Sequence, residues 1–173
     1  RGKLEYTGCI LFHDIELNSL NVKVDKAPCE DAIHLVRVVG SKLNFFVTNS
    51  FADGIDADFS VIEDMRANVS NSGNDCLDFS FGRYSVFPML SQCGDKGISV
   101  GETANVEVHG GFVEGAIIGI ASKDGAHVKI DGLEIKNAHI CSASYRKKNK
   151  FPTGKMYIIK YKCEGKIDTF QQQ

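Results

Sequence analysis

Carboxylate, amide and lysine side chains recur at short spacing in the middle of the chain. The segments FADGID, GNDCLD and GDKGIS begin at residues 51, 73 and 94, and each places polar residues in front of a short apolar stretch. Asp53, Asn74, Asp75 and Lys96 occupy the polar positions. Such groups could carry out general acid–base chemistry or bind a cation. Close like charges raise the pKa of at least one carboxyl group, as acid–base chemistry requires.

The composition is that of an ordinary globular protein. The chain has 173 residues, 17 glycines, no tryptophan, a formal charge of -2 and a pI near 6.2. We therefore expect one domain over residues 1–173, with no global electrostatic attraction to nucleic acid or to an anionic membrane. No apolar run approaches the roughly 18 residues of a membrane span. The predicted partners accordingly include neither nucleic acid nor a membrane span.

A repeat of about 22 residues organises the sequence. Small anchor residues recur at intervals of 22, 22, 21, 22 and 22, namely Ala32, Gly54, Cys76, Gly97, Gly119 and Cys141. One position later follows an apolar column of Ile33, Ile55, Leu77, Ile98 and Ile120. Two further columns are Leu43, Met65, Val86, Val108 and Ile130, and Val47, Val69, Leu90 and Phe112. Three apolar columns at one period predict stacked, equivalent structural units.

Each repeat contains two short alternating stretches separated by Gly, Asn, Asp and Ser. Alternation of period two indicates strands, and the separating residues indicate turns. We therefore predict an all-β parallel solenoid whose coils stack about 4.8 Å apart. Residues 145–173 are expected to form its C-terminal cap. Because the chain starts at Arg1 and its first residues already alternate, we expect it to be the C-terminal part of a longer β-helix.

The direction of the apolar column predicts one polar sheet face. If Leu77, Phe79 and Phe81 point inward, then Asp78 points outward, and Asp56 does the same one coil earlier. Two residues further along their strands, Asp58 and Lys123 also lie on this face, and Glu102 lies where the chain leaves the face. Two interpretations stay open, a functional cluster or simple solvation of an exposed strand. A second polar column, Asn49, Asn71, Gln92 and Glu114, is interpreted as a ladder of side chains at a turn.

The coil pattern over residues 30–145 resembles the right-handed parallel β-helix proteins of the pectin-lyase-like superfamily. Within it, FADGID, GNDCLD and GDKGIS, followed by ASK, resemble the NTDG, GDDC, GHG and RIK motifs of polygalacturonase-type hydrolases. Asp53 then matches the acid of NTDG, Asn74 and Asp75 match the acidic pair of GDDC, Lys96 matches the histidine of GHG, and Lys123 matches the lysine of RIK. Asn74 cannot ionise, so one family carboxylate is missing. The chain also resembles bacterial β-helix repeat proteins with acidic coils.

Three functions from different classes follow. The first is processing of an acidic polysaccharide, with Asp53, Asp75, Asp78, Lys96 and Lys123 as catalytic residues. Its substrate-binding residues are predicted to be Asn74, Asp56, Asp58, Glu102 and Tyr145. The second is a non-catalytic glycan-binding module, for which Tyr84 and Tyr145 are the candidate aromatic residues. The third is a structural or assembly β-helix of a surface or phage protein, in which the acids only solvate the face.

The cysteines and histidines contribute little to these hypotheses. Six cysteines show no metal-ligand spacing, and buried thiols are favoured over a disulfide framework. The five histidines do not share a column, so no histidine-based metal site is predicted. The residues themselves imply no cofactor, whereas the resemblance to lyases of this fold implies Ca²⁺ as an ion that such a face would use. A glycan partner implies an extracellular or cell-surface location.

Overall fold

The computed structural model describes residues 7–164 and the backbone of residues 166–168. These residues form strands and turns only, so no helix among them is long and apolar enough to cross a membrane. The strands are β1 (Gly8–His13), β2 (Glu16–Asp25), β3 (Asp31–Val36), β4 (Val39–Ser50), β5 (Asp53–Asp58), β6 (Val61–Ser72), β7 (Leu77–Ser80), β8 (Arg83–Cys93), β9 (Lys96–Gly101), β10 (Asn105–His109), β11 (Phe112–Lys123), β12 (His127–Tyr145), β13 (Lys155–Cys163) and β14 (Lys166–Asp168).

The strands build a parallel β-solenoid of about six turns, with equivalent residues about 22 positions apart, as predicted. Each middle coil consists of one short strand followed by one long strand, for example β5 followed by β6. The short strands stack in the order β1-β3-β5-β7-β9, and the long strands stack as β2-β4-β6-β8. In β4 and β6 a residue with positive φ, Lys42 or Asp64, bends the long strand.

The core consists of the apolar columns that the repeat predicts. Ile33, Ile55, Leu77, Ile98 and Ile120 are each 0% exposed and follow one another in the strand register. The column of Leu43, Met65, Val86, Val108 and Ile130 is buried in the same way. Since each side chain packs on its equivalent in the next coil, the same residue type suits every level of the stack.

The third apolar column differs from the prediction by one residue. Leu90 pairs with Val113, which is fully buried, whereas the predicted residue, Phe112, pairs with Met89 and is only half-buried. The extra residue lies in the Gly110–Gly111 turn. Gly111 has a φ of 89°, and a side chain there would meet the Pro88 carbonyl oxygen. This turn lengthens the coil by one position before β11 begins.

A residue with positive φ follows directly after each of β3, β5, β7, β9 and β11, and these residues form a column. Its members are Arg37, Phe59, Phe81, Glu102 and Asp124, with φ between 41° and 52°. We refer to them as the exit column. The prediction that Phe81 points inward is therefore wrong, because β7 ends at Ser80 and the turn rotates the next side chain out of the core. Phe79, by contrast, is fully buried as predicted.

The predicted side-chain ladder forms in part. Asn71 Nδ2 donates to Asn49 Oδ1 at 2.7 Å, and Asn49 Nδ2 donates to Asp25 Oδ1 at 2.8 Å. Asn49, Asn71 and Gln92 all have positive φ, which their turn requires. At the next level Gly115 takes the positive-φ position instead of the predicted Glu114. The ladder therefore stabilises the turns of neighbouring coils.

The prediction of free buried thiols is wrong, because all six cysteines are paired. The disulfides are Cys9–Cys29, Cys76–Cys93 and Cys141–Cys163. Each bond joins cysteines about one coil apart in sequence, with separations of 20, 17 and 22 residues. A solenoid coil returns the chain to nearly the same place after one turn, so such partners meet without any CxxC spacing.

The segment expected to form the cap continues the stack. β13 pairs in parallel with β12, and its Tyr157 and Ile159 are exposed. The loop between these strands folds back on the solenoid, since the backbone N–H groups of Lys147 and Lys148 donate to Asp124 Oδ1. Residues 165 and 169–173 of the expected cap lie outside the described residues.

Candidate functional site

The predicted polar surface lies on the short strands, and we refer to it as the acidic face. It is the outer surface of β3, β5, β7, β9 and the end of β11. One register column contains His34, Asp56, Asp78, Ser99 and Ala121. The neighbouring column contains Val36, Asp58, Ser80 and Gly101, and Lys123 lies beside Gly101. Alternation within each strand places these residues opposite the buried isoleucine column.

The centre of the acidic face is open, and its two ends are covered. The side chains of Asp56, Asp58 and Asp78 are 22%, 25% and 25% exposed. On one side His34 is 3% exposed, and on the other Lys123 is 7% exposed. The carboxylates therefore form the floor of a shallow depression. Open grooves elsewhere on the surface, such as that between Asn105 and Tyr157, contain none of the predicted site residues.

A line of hydrogen bonds crosses the coils where the chain enters the acidic face. Asp53 Oδ1 accepts the backbone N–H of Asp75 at 2.9 Å and Nδ2 of Asn74 at 2.7 Å. On the next coil Asp75 Oδ1 accepts the backbone N–H of Lys96 at 3.0 Å. Each acid thus satisfies a backbone group of the following coil. The structure brings the four residues of the sequence motifs together as predicted.

Lys96 is the positive charge of this entrance line. Its Nζ lies 3.4 Å from Asp75 Oδ1 and also contacts Asp95. Burial raises the pKa of Asp75, which is 3% exposed, and Lys96 opposes that rise without cancelling it. For Lys96, burial lowers the pKa, but the two carboxylates outweigh it and the net pKa is raised.

Burial and like charge raise the pKa values of the acids at the centre. Burial, together with the charges of Asp58 and Asp78, raises the pKa of Asp56 to about 9. Burial also raises the pKa of Asp53 to about 6, with Asp75 adding to the shift and its N–H opposing it. The pKa of Asp78 is raised by burial against the effect of Lys123. The depression therefore holds carboxyl groups that retain protons at different pH values.

Two polar groups on neighbouring strands of the depression, Asp78 and Ser99, interact only weakly with each other, and the Ser99 hydroxyl opposes the rise that burial causes in the pKa of Asp78. Among the described residues, no well-formed hydrogen bond reaches Asp78 Oδ1 or the hydroxyl of Ser99, although both atoms are shielded from solvent. The nearest cation to Asp78 is Lys123, whose Nζ lies 3.9 Å from Oδ2. Buried polar atoms are rarely left unsatisfied, so these two have capacity for a further donor or acceptor.

The loop after β12 covers the far end of the acidic face. Lys148 Nζ contacts Glu102 Oε1, and Ser80 Oγ donates to Glu102 Oε2 at 2.6 Å. Burial raises the pKa of Glu102, but these hydrogen bonds outweigh burial and lower it. Tyr145 is half-buried next to Lys123. Thus Glu102 and Tyr145, predicted as substrate-binding residues, lie at the wall of the depression and not on its floor.

The aromatic residues beside the acidic face are not those expected. Tyr84 is 1% exposed, and its hydroxyl donates to the Ala57 carbonyl at 2.8 Å, so its assignment as a surface aromatic is wrong. Its strand follows the turn and points the ring into the core. The accessible rings are Phe59 of the exit column, which is 50% exposed, and the half-buried Phe81 and Phe151. Phe59 and Phe81 stack with centroids 4.6 Å apart and planes 3° apart, and Phe151 meets Phe81 edge-on at 6.3 Å.

Sequence reasoning also missed His34. The five histidines do not share a column with one another, but His34 shares a column with Asp56 and Asp78. Its Nδ1 lies 3.6 Å from Asp31 Oδ2, and its Nε2 lies 3.6 Å from Asp56 Oδ2 and 3.3 Å from Asp58 Oδ2. Asp31, His34 and Asp56 each offer a ligand atom within 4.8 Å of the others. Aligning EDAIHLV with ADGIDADF already places His34 opposite Asp56.

No protein-family model, no curated protein and no solved structure matches this chain.

Proposed function

We propose that the acidic face is a polysaccharide-binding surface. The observation that carries this proposal is the Phe59–Phe81 stack, in which Phe59 is 50% exposed and Phe81 is half-buried, and whose two rings follow directly after Asp58 and Ser80 on the floor of the depression. An aromatic face packs against the apolar face of a sugar ring, while carboxylates accept hydrogen bonds from its hydroxyl groups. Because both features repeat from one coil to the next, the surface suits an extended polymer.

The positive charges at the far end of the face favour an acidic polysaccharide. Lys123 lies 3.9 Å from its nearest acid, Asp78, so its ammonium group makes no close ion pair there, and at 7% exposure it would meet a uronate carboxylate only through the small part of its surface that is open. Lys148 extends the same side of the depression. In this arrangement the floor binds hydroxyl groups through Asp56 and Asp58, and the lysine end binds the sugar acid.

Cleavage of the bound polymer is the stronger form of this proposal. Asp78 would serve as the acid or base, since its carboxylate lies on the floor with one oxygen free of hydrogen bonds among the described residues. Lys123 would stabilise the uronate. Asp53, Asp75 and Lys96 would hold the entrance line in place, with Asn74, Glu102 and Tyr145 contacting the sugar at the walls.

A structural role is the second candidate, and the short turns favour it. β3, β5 and β7 are each followed by a turn of two residues before the next strand begins, at positions 37–38, 59–60 and 81–82. No long loop therefore borders the acidic face along these three strands. A scaffold of uniform coils would use its acids for solubility alone.

The three disulfides support an extracellular or cell-surface location for either function, because such bonds persist in oxidising compartments. For tests of either function, the protein should therefore be handled and assayed without reducing agent.

Binding to a panel of neutral and uronate-containing polysaccharides tests the proposal, with affinities measured by calorimetry. We expect Phe59→Ala and Phe81→Ala to weaken binding at least about fivefold, from roughly 1 kcal/mol per ring contact. Phe46→Ala is the matched control, since Phe46 is 44% exposed against 50% for Phe59 but lies on β4. Lys123→Met should weaken binding of uronate polymers only.

The same panel is assayed for release of reducing or unsaturated ends, with Asp78→Asn alongside. Product release by the wild type that Asp78→Asn abolishes would establish cleavage. Binding without product release would restrict the function to glycan recognition. If no polysaccharide binds, or if the Phe59→Ala and Phe81→Ala variants bind as the wild type does, the glycan proposal is wrong and the scaffold remains.

A further inference from the structure

His34 lies between carboxylates on both sides of its ring. On the Nδ1 side are Asp31 Oδ2, at 3.6 Å, and the hydroxyl of Thr7, at 3.2 Å. On the Nε2 side are Asp58 Oδ2, at 3.3 Å, and Asp56 Oδ2, at 3.6 Å. The ring is 3% exposed and Asp31 is 2% exposed. A buried imidazole with an acid at each nitrogen is held in one orientation.

The carboxyl groups around His34 outnumber the basic groups that side chains supply. Within residues 7–164, His34 is the only ion-pair partner found for Asp31, Asp56 and Asp58. One imidazole therefore faces three carboxyl groups. On the next strand, Asp78 Oδ1 is shielded from solvent and receives no well-formed hydrogen bond in the described part of the chain, where Ser99 is its register neighbour. Clustered acids with so little compensation favour a bound cation.

We propose that His34, through Nε2, binds one Zn²⁺ ion together with Asp56 and Asp58. Mixed imidazole and carboxylate ligands suit Zn²⁺, which is commonly bound by three protein groups and a water molecule. Ca²⁺, implied by the family resemblance, prefers oxygen ligands alone, so the imidazole disfavours it. The site comprises one ligand from β3 and two from β5, which are adjacent in the sheet.

Asp31 acts as a positioning residue in this site. A histidine that ligates a metal through one nitrogen usually donates the other N–H to a carboxylate, which fixes the tautomer. Asp31 Oδ2 lies 3.6 Å from His34 Nδ1 and accepts a hydrogen bond from the Thr7 hydroxyl, which itself lies 3.2 Å from Nδ1, so Thr7 links the imidazole to the carboxylate. The proton on Nδ1 leaves the Nε2 lone pair directed at Asp56 and Asp58.

The inference goes beyond glycan binding and does not depend on it. Zinc uptake is measured on the oxidised full chain without any polysaccharide, by equilibrium dialysis and calorimetry with ZnCl₂. Because no free cysteine exists, thiolates do not compete for the metal. We expect one Zn²⁺ per chain. His34→Gln and Asp58→Asn should each weaken binding at least about tenfold, and Asp31→Asn about 10–100-fold.

His127→Gln is the matched control, because His127 is exposed and lies in β12 next to β10, away from the acidic face. It should bind zinc as the wild type does. Nitrogen NMR distinguishes the ligand atom, since zinc should shift the Nε2 resonance of His34 and leave Nδ1 protonated. In Asp31→Asn this preference for the Nδ1 tautomer should be lost, a change that altered folding alone does not produce.

Circular dichroism checks the fold of each variant, and Asp58→Asn tests the site independently if His34→Gln does not fold. The proposal is overturned if one zinc per chain is not taken up, if both variants bind zinc as the wild type does, or if zinc shifts Nδ1 instead of Nε2. Equal binding of Ca²⁺ that is insensitive to His34→Gln would also overturn it.

Discussion

Asp53 accepts the backbone N–H of Asp75 on the following coil at 2.9 Å, so one acid orders the backbone from which the next acid projects. The two carboxyl groups stabilise the stack through hydrogen bonds and destabilise it through like charge. Burial is the larger effect, and together with this repulsion it raises the pKa of Asp53 to about 6. The same contact that aligns the coils therefore makes their stability depend on pH.

Asp53→Asn should flatten the pH dependence of stability between pH 4 and pH 7. The folded-state pKa of Asp53 is about 6, against about 3.8 when unfolded, so the folded protein binds the proton more tightly. This contribution is fully present below the unfolded pKa and is lost as pH rises through 6. The wild type should lose about 2 kcal/mol over this range that Asp53→Asn does not lose. Denaturant unfolding at several pH values measures the difference.

Asn keeps the acceptor for the Asp75 N–H, so the variant removes charge without removing the hydrogen bond. Asp64→Asn, an exposed change on β6, is the control and should follow the wild type. The prediction fails if Asp53→Asn and the wild type lose stability in parallel.

Lys96→Met should destabilise the fold by about 3 kcal/mol at pH 7, because it leaves the buried Asp75 carboxylate without its ion-pair partner. Loss of Lys96 raises the pKa of Asp75 further, so the deficit should shrink as pH falls and Asp75 takes up a proton. The double variant Asp75→Asn, Lys96→Met should recover much of the stability at pH 7. Unfolding free energies of the four proteins form a double-mutant cycle, and additive losses would contradict this account.

Asn71→Ala should cost about 1 kcal/mol more than Asn71→Gly. Asn71 has a φ of 58°, which glycine adopts without strain and alanine does not. Both variants lose the hydrogen bond to Asn49, so their difference isolates the backbone. Thermal melts of both variants measure it. Equal melting temperatures would show that the turn relaxes around the new residue.

Removal of the Cys76–Cys93 disulfide should cost about 3 kcal/mol, because its 17-residue loop is then free to open in the unfolded chain. The double variant Cys76→Ala, Cys93→Ala places small apolar residues at two buried positions. Denaturant unfolding without reductant gives the loss. If reductant lowers the stability of this variant as much as that of the wild type, the bond contributes nothing of its own.

Most of the core was predictable because each coil places equivalent residues in equivalent surroundings. Leu77 packs between Ile55 and Ile98, and all three are visible as one periodic column. The errors occur where backbone geometry breaks the period. The prediction for Phe112 was wrong because the Gly110–Gly111 turn adds one residue to the coil. The prediction for Phe81 was wrong because alternation does not show where a strand ends.

For the candidate site, the positions of the acids, of Asn74 and of the two lysines were predictable from the sequence. Asp56 and Asp78 share a column and carry the same charge, so the repeat identifies them. His34 belongs to that column with different chemistry, and Phe59 lies in a turn that the apolar pattern does not describe. The disulfides depend on the return path of each coil, which brings Cys76 to Cys93 without a local motif.

The exit column gives this protein a rim at which Arg37, Phe59 and Phe81 can change without rearranging the stack, whereas the buried Glu102 and Asp124 hold the loop after β12. Arg37, Phe59, Phe81, Glu102 and Asp124 share a backbone conformation but differ in charge, size and polarity. This conformation directs the side chains away from the inward columns. Natural variation along the rim therefore changes the surface chemistry of the solenoid one coil at a time, while the interior stays constant. Homologous chains should therefore diverge fastest along this rim.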